Sequence, residues 1–129
     1  MTLNQERNMN VSELIDITKG QLLTKKNCLD PDREIKGGCS ADLMSDVLAY
    51  IQPDAVLLTG LTNPQVVRTA QMADVAAIVF VRGKMPPDET IRLAEESEIP
   101  LISSPFGMYE LSGRLHQTGL PSLENAIDN

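Results

Sequence analysis

The stretch from Ala55 to Leu115, AVLLTGLTNPQVVRTAQMADVAAIVFVRGKMPPDETIRLAEESEIPLISSPFGMYELSGRL, decides the fold. Three short apolar runs stand in it: residues 55–58 (AVLL), 76–81 (AAIVFV) and 99–102 (IPLI). They are continuously apolar rather than alternating, as strands covered on both faces are. Each run gives way to a polar loop and then to a helix-period segment. The loop Thr59 to Pro64 places Asn63 as an N-cap and Pro64 at the first helical position. Val66, Val67, Ala70 and Met72-Ala73 then form an inward stripe. Arg82 to Pro86 is the second loop, with Pro87 opening a helix that buries Ile91, Leu93 and Ala94 and exposes Glu95, Glu96 and Glu98. Ser103 to Gly107 is the third, followed by a helix through Met108, Leu111, Leu115 and His116 that Gly119 ends. Strand–loop–helix units in tandem imply parallel strands joined by right-handed crossovers.

Upstream, Asn10-Val-Ser-Glu13 matches a capping box for a short helix carrying Val11, Leu14, Ile15 and Ile17, with Gly20 as its stop. Residues 21–26 and 33–38 are short strand candidates separated by turn residues, and lacking a long crossover they are expected to pair as a hairpin-like edge. Ser40 is the expected N-cap of a helix through Leu43, Met44, Val47, Leu48 and Ile51. The expected whole is α/β: a three-layer α/β/α domain with a mixed, largely parallel sheet of about five strands. Residues 1–9 read as a disordered tail, 10–120 as the single domain and 121–129 as a polar C-terminal tail.

Composition narrows the function classes. At 129 residues the chain has room for one domain of ordinary apolar (42%) and charged (22%) content. Aromatic residues are 3% of the chain, with no Trp, too few to stack nucleobases. The net charge of -7 repels phosphate backbones and anionic bilayers, so neither nucleic acid nor membrane is an expected partner. No run reaches the ~18 apolar residues of a membrane span, and the N-terminal stretch has no signal-like apolar region; a cytoplasmic location is expected. Cys28, Cys39 and His116 lack metal-ligand spacing, and no cofactor or metal is expected.

Ligands of parallel sheets bind beyond the carboxyl ends of the strands. Those ends are Thr59-Gly60, Arg82-Gly83 and Ser103-Ser104, each before a helix N-terminus whose free amides favour an anion. Thr59, Gly60, Asn63, Arg82, Gly83, Ser103 and Ser104 are therefore the candidate rim for a small anionic ligand, with Arg82 and Lys84 adding positive charge. The step Gly37-Gly38 before Cys39-Ser40 is a second candidate, a backbone cradle for phosphate. The alternative reading of both is structural: glycines and small polar residues are what any βα turn or bend wants. Neither Gly37-Gly38 nor Gly83-Lys84 has P-loop spacing. An enzymatic alternative places a nucleophile at Cys39 with His116 as base, or acid–base work in the loop of Asp30, Asp32 and Glu34. Flanking Arg33 and Lys36 make a solvated, salt-bridged loop the plainer reading there.

The ordered set of features in residues 55–115 resembles the DRTGG domain: strand, TG loop, helix, apolar strand, RG-x-x-P loop, helix, IPLI strand, SP loop and final helix. The VSELIDI helix and the GG-C-S-A-D-L-M segment extend the likeness from Asn10 to Gly119. The literal string DRTGG is absent; Asp32-Arg33-Glu34-Ile35-Lys36-Gly37-Gly38 is only superficially similar, and the TG loop reads Gly60-Leu61-Thr62 where relatives often carry G-D-R. The resemblance implies a module like the N-terminal, non-catalytic domain of HPr kinase/phosphorylase. Such domains also occur within some phosphotransacetylases and beside CBS domains in regulated pyrophosphatases. It implies a regulatory or assembly role without chemistry of its own: a homodimer that binds a protein partner and senses a small anionic metabolite or nucleotide. An adaptor subunit of a redox complex is a further alternative. Kinase activity is not expected without a P-loop.

Overall fold

A computed structural model describes residues 8–127. The elements run α1 (Val11–Thr18), β1 (Gln21–Leu22), a 3-10 turn (Lys26–Cys28), β2 (Gly37–Ser40), α2 (Met44–Tyr50), β3 (Ala55–Thr59), α3 (Pro64–Met72), β4 (Ala77–Phe80), α4 (Asp88–Glu96), β5 (Leu101–Ser103) and α5 (Met108–Gln117). Five strands form one mixed sheet in the order β1-β5-β4-β3-β2. The pairs β2–β3, β3–β4 and β4–β5 are parallel and β1 runs antiparallel to β5. Because β2 to β5 are laid down in one direction, right-handed crossovers put α2, α3 and α4 on one face. Val47, Val66, Val67, Ala70 and Ala94 pack there against Leu57, Ile78, Phe80 and Leu101. Helices α1 and α5 cover the other face, where Leu14, Leu111 and Leu115 meet Val56, Leu58, Val79 and Ile102. Successive residues of β3 and β4 thus enter opposite cores, which accounts for their unbroken apolar runs.

The hairpin expected from residues 21–26 and 33–38 does not form. Gln21 pairs with Ser103 and Leu22 with Ile102 at one edge of the sheet, while Gly37 to Ser40 pair with Ala55 to Leu58 at the other. Two residues of β1 are too few to anchor a local hairpin, and burial of both candidates against the larger parallel sheet outweighs the short connection. Gly37-Gly38 consequently opens a strand, where it was expected to end one. Ser40 is the last residue of β2 and caps nothing; α2 begins four residues later, with Leu43 at its N-cap position. The late start rotates the helix, so Val47 alone is fully buried while Leu43 and Leu48 face solvent. Met72, expected inward, is 68% exposed at the end of α3.

The α1 capping box is present: Asn10 Oδ1 accepts from Glu13 N (2.9 Å) and Glu13 Oε1 accepts from Asn10 N (3.2 Å). Its left-handed C-cap is Lys19 (φ 50°), and the Gly20 expected as the stop is fixed instead by space, since a Cβ there would strike Ile102 Cγ2. Of the segment read as an N-terminal tail, residues 1–7 lie outside the described residues. Met9 is buried and exchanges two backbone hydrogen bonds with Ile35 (2.9 and 2.7 Å). Residues 121–125 lie along the free edge of β2: Gly38 N donates to Pro121 O (2.9 Å) and Leu123 N to Gly38 O (2.9 Å). No described helix is long and apolar enough to cross a membrane.

Candidate functional site

The carboxyl ends of β3, β4 and β5 lie on one rim, as parallel pairing requires, bringing together Thr59, Gly60, Arg82, Gly83, Ser103 and Ser104. Asn63 is also there, exposed at the N-cap position of α3, but its side chain makes no capping bond. Gly37 and Gly38 are not on the rim. In register with Ala55 and Val56, they sit toward the opposite end of the sheet, inside a strand whose edge is taken by residues 121–123. A phosphate cradle needs free convergent amides, and that of Gly38 is already spent on Pro121.

Opposite-face departure of consecutive helices opens the crevice in which α/β sheets hold ligands. In this chain the departure switches between β4, whose loop leads to α4, and β5, whose loop leads to α5. The crevice is sealed by the protein itself. Arg82 N donates to Phe106 O (2.7 Å), Gly83 N to Ser104 O (2.6 Å) and Ser103 Oγ to Lys84 O (2.8 Å). The seal needs two consecutive left-handed residues, Arg82 (φ 60°) and Gly83 (φ 68°); the glycine takes this conformation without steric cost, the arginine does not. Ser104, fully buried, donates its hydroxyl to Thr18 O (2.7 Å) and so ties the β5 loop to the end of α1.

At the carboxyl end of β3 the anion position is occupied by a residue not among the sequence candidates. Asp42, in the β2–α2 loop, accepts through Oδ1 from Gly60 N (2.7 Å) and from Thr59 Oγ1 (3.0 Å). Lys84 Nζ reaches across to donate to Gly60 O (3.3 Å). A carboxylate on a strand-end amide and a hydroxyl, with an ammonium beside it, is the arrangement a bound anion would adopt. The signal for Asp42 in the sequence is slight: an acidic residue two positions before a helix start, where it reads as capping chemistry. The rim is therefore an interlocked set of polar contacts whose outward cationic groups are the exposed side chains of Arg82 and Lys84.

The enzymatic candidates are placed apart or disarmed. Cys39 Sγ donates to Glu124 Oε2 (3.2 Å), and burial, with this bond and the carboxylate charge, pushes the thiol up to about 12. It is a protonated thiol at neutral pH, the opposite of an activated nucleophile. His116 borders the same open groove as Cys39, but the thiol is bonded to Glu124 and not to the imidazole. In the acidic loop, Asp30 Oδ1 accepts from Asp32 N (2.9 Å), while Arg33 and Lys36 pair with acids outside the loop, Arg33 with Asp54 (3.1 Å) and Asp74 (3.5 Å) and Lys36 with Asp54 (3.6 Å). Among the described residues no group of three or more His, Cys, Asp and Glu could hold a metal ion.

The DRTGG domain family model matches residues 13–118, most of the chain. This chain belongs to the DRTGG domain family. Among solved structures it is similar to the crystal structure of the CBS and DRTGG domains of the regulatory region of Clostridium perfringens pyrophosphatase, complexed with the activator diadenosine tetraphosphate. The TM-score is 0.71 at 16% identity, over 92% of this chain and 51% of that one, so the DRTGG chain here spans about half of its structural neighbour. No curated protein matches.

Proposed function

We propose that this DRTGG domain is a non-enzymatic regulatory module that acts by binding a partner protein, works as a homodimer and senses a small anionic metabolite or nucleotide on the rim of Thr59, Gly60, Asn63, Arg82, Gly83, Ser103 and Ser104. The observation that carries the reading is Asp42. Its carboxylate holds the Gly60 amide while Lys84 holds the Gly60 carbonyl. An anion attracted by Arg82 and Lys84 would compete with Asp42 for that amide and draw Lys84 away from Gly60. Binding would thereby loosen the contacts linking three loops, and a ligand regulates only through such unequal affinity for two arrangements. The activator named for the pyrophosphatase region supports nucleotides as the first class to try. The likeness to the N-terminal domain of HPr kinase/phosphorylase and a cytoplasmic location belong to the same reading.

A thermal-shift panel of nucleotides, dinucleoside polyphosphates and acyl and sugar phosphates tests the sensor. At about millimolar ligand, a tenfold excess over Kd raises stability by ~1.4 kcal/mol. The rise should vanish in Lys84→Ala and Arg82→Ala. A panel with no response removes the sensor and leaves the partner-binding module. Light scattering tests the homodimer, and a monomer at about 100 µM, a concentration that saturates micromolar association, removes it.

A further inference from the structure

The edge of β2 is closed by a strap of the chain itself. After Gly119 (φ 95°) the backbone turns back, and residues 120–125 run parallel to β2 and then along the end of α2. Besides the two bonds to Gly38, Gln52 N donates to Leu123 O (2.8 Å) and Asn125 N to Tyr50 O (2.8 Å). Two side-chain contacts add to these: Gln52 Nε2 to Asn125 Oδ1 (2.6 Å) and Cys39 Sγ to Glu124 Oε2 (3.2 Å). Leu123 lies on bare backbone. A Cβ on Gly37 would collide with Leu123 Cγ and come within 2.6 Å of Pro121 O. The glycine is thus the seat of one leucine.

The strap is lightly held. Leu120 is its one fully buried side chain, Leu123 is half-buried, and Ser122, Glu124 and Asn125 are exposed. Beside it an open groove of about 1190 Å³ runs between β2 and α5, floored by Gly38 and Ser40 and flanked by Tyr109, Ser112 and His116. Main-chain bonds plus one seated side chain are how a sheet edge receives an added peptide strand. Segments with few buried apolar contacts open at a small fraction of the global stability.

We infer that the β2 edge is a docking site for an extended segment of a partner protein, and that strap 120–125 is the chain's own stand-in for that segment. The strap states the chemistry the partner carries. Its backbone runs parallel to β2, a leucine occupies the Gly37 seat, a carboxylate follows for the Cys39 thiol, and a side-chain amide comes next for Gln52. Proline is excluded at the leucine and amide positions, whose N–H groups donate. The groove gives the partner's flanking residues room that the strap leaves empty, which lets a partner outcompete a tethered segment. The inference rests on the reading that the module acts through a protein partner and not on the rim; a silent ligand panel leaves it standing, and a silent peptide leaves the rim untouched.

The test uses the full chain and a fluorescein-labelled peptide, GLPSLENAI, the sequence of residues 119–127. Leu123→Ser in the chain empties the seat without altering the edge. Peptide anisotropy should then report binding at least about tenfold tighter than to the wild-type chain. Adding Gly37→Ala should remove that gain, and a peptide with serine in place of the leucine that corresponds to Leu123 should not bind. No binding to the Leu123→Ser chain, or equal binding with and without Gly37→Ala, overturns the inference. Hydrogen exchange of the wild-type chain stands in if Leu123→Ser does not fold. The amides of Gly38, Gln52, Leu123 and Asn125 should exchange together and at least about tenfold faster than those of β3 and β4, and equal protection overturns the inference. Should the wild-type chain dimerise, with Glu124→Cys forming its disulfide with Cys39 between chains, the edge belongs to a second copy and the partner reading falls.

Discussion

Replacing Asp42 with alanine removes the carboxylate that receives both Gly60 N and Thr59 Oγ1. A hydrogen bond to a charged group contributes ~1.5–3 kcal/mol when sheltered, and Asp42 is exposed, which weakens both. Thr59 sets the other side of the sum. It is fully buried, and although its oxygen still accepts from Leu61 N (3.2 Å), its proton loses its acceptor. The expected loss is about 2 kcal/mol. With a urea slope of ~1.5 kcal/mol per molar for a domain of this size, the midpoint falls by roughly 1.3 M. Circular dichroism is the suitable probe because the chain has no Trp. Asp42→Asn keeps an acceptor oxygen and should lose about half as much. In a double-mutant cycle with Thr59→Val the two changes should couple by about 1 kcal/mol. Stability and binding should move in opposite directions: freeing the Gly60 amide beside Lys84 raises affinity for inorganic pyrophosphate several-fold in Asp42→Ala. A midpoint within about 0.2 M of wild type, or strict additivity with Thr59→Val, refutes the account of the rim.

Thr69 is fully buried in α3 and its hydroxyl finds no partner among the described residues, so Thr69→Val should raise stability by about 1 kcal/mol in the same urea titration. Cys39 should resist a disulfide-exchange reagent at pH 8 while the half-buried Cys28 reacts, giving one thiol per native chain and two after denaturation. Because folding raises the Cys39 thiol from 9.0 to about 12, the unfolded chain sheds that proton first; the stability present below pH 9 declines as pH rises toward 12, and Cys39→Ser should flatten the decline.

The three βα units were legible because each element declares itself locally. AVLL, AAIVFV and IPLI are too apolar for anything but a doubly covered strand, and Asn63-Pro64 and Pro87 punctuate the helices. The α1 cap was equally local, a reciprocal bond between residues three apart. What stayed hidden depends on distant pairing. β1 and β2 are brief and weakly β-forming, and their partners are chosen by the sheet. Gly37-Gly38 reads as punctuation until Leu123, 86 positions on from Gly37, is seen lying on it (123 − 37). The rim residues could be placed from strand order alone. That their amides are consumed by Asp42, Ser104 and Phe106 could not, since nothing in a βα loop announces which donor its neighbour will take. The phase of α2 is hidden for a smaller reason: Ser40 reads as the cap, and the actual N-cap position, Leu43, lies three residues on (43 − 40), which carries Leu43 and Leu48 off the inner face.

The unidirectional strand order bears on how the chain comes together during synthesis. From β2 onward each strand pairs with the one just made, so every new unit emerges beside a finished template and closes loops of only about twenty residues. β1 is the exception: Gln21 waits 82 positions for Ser103 (103 − 21). The N-terminal helix and its two-residue strand are made first and seated late, after β5 and α5 have left the ribosome. A nascent chain halted before β5 would carry a growing parallel layer with α2 and α3 in place and its α1 side bare, the stage at which this domain has most need of a chaperone.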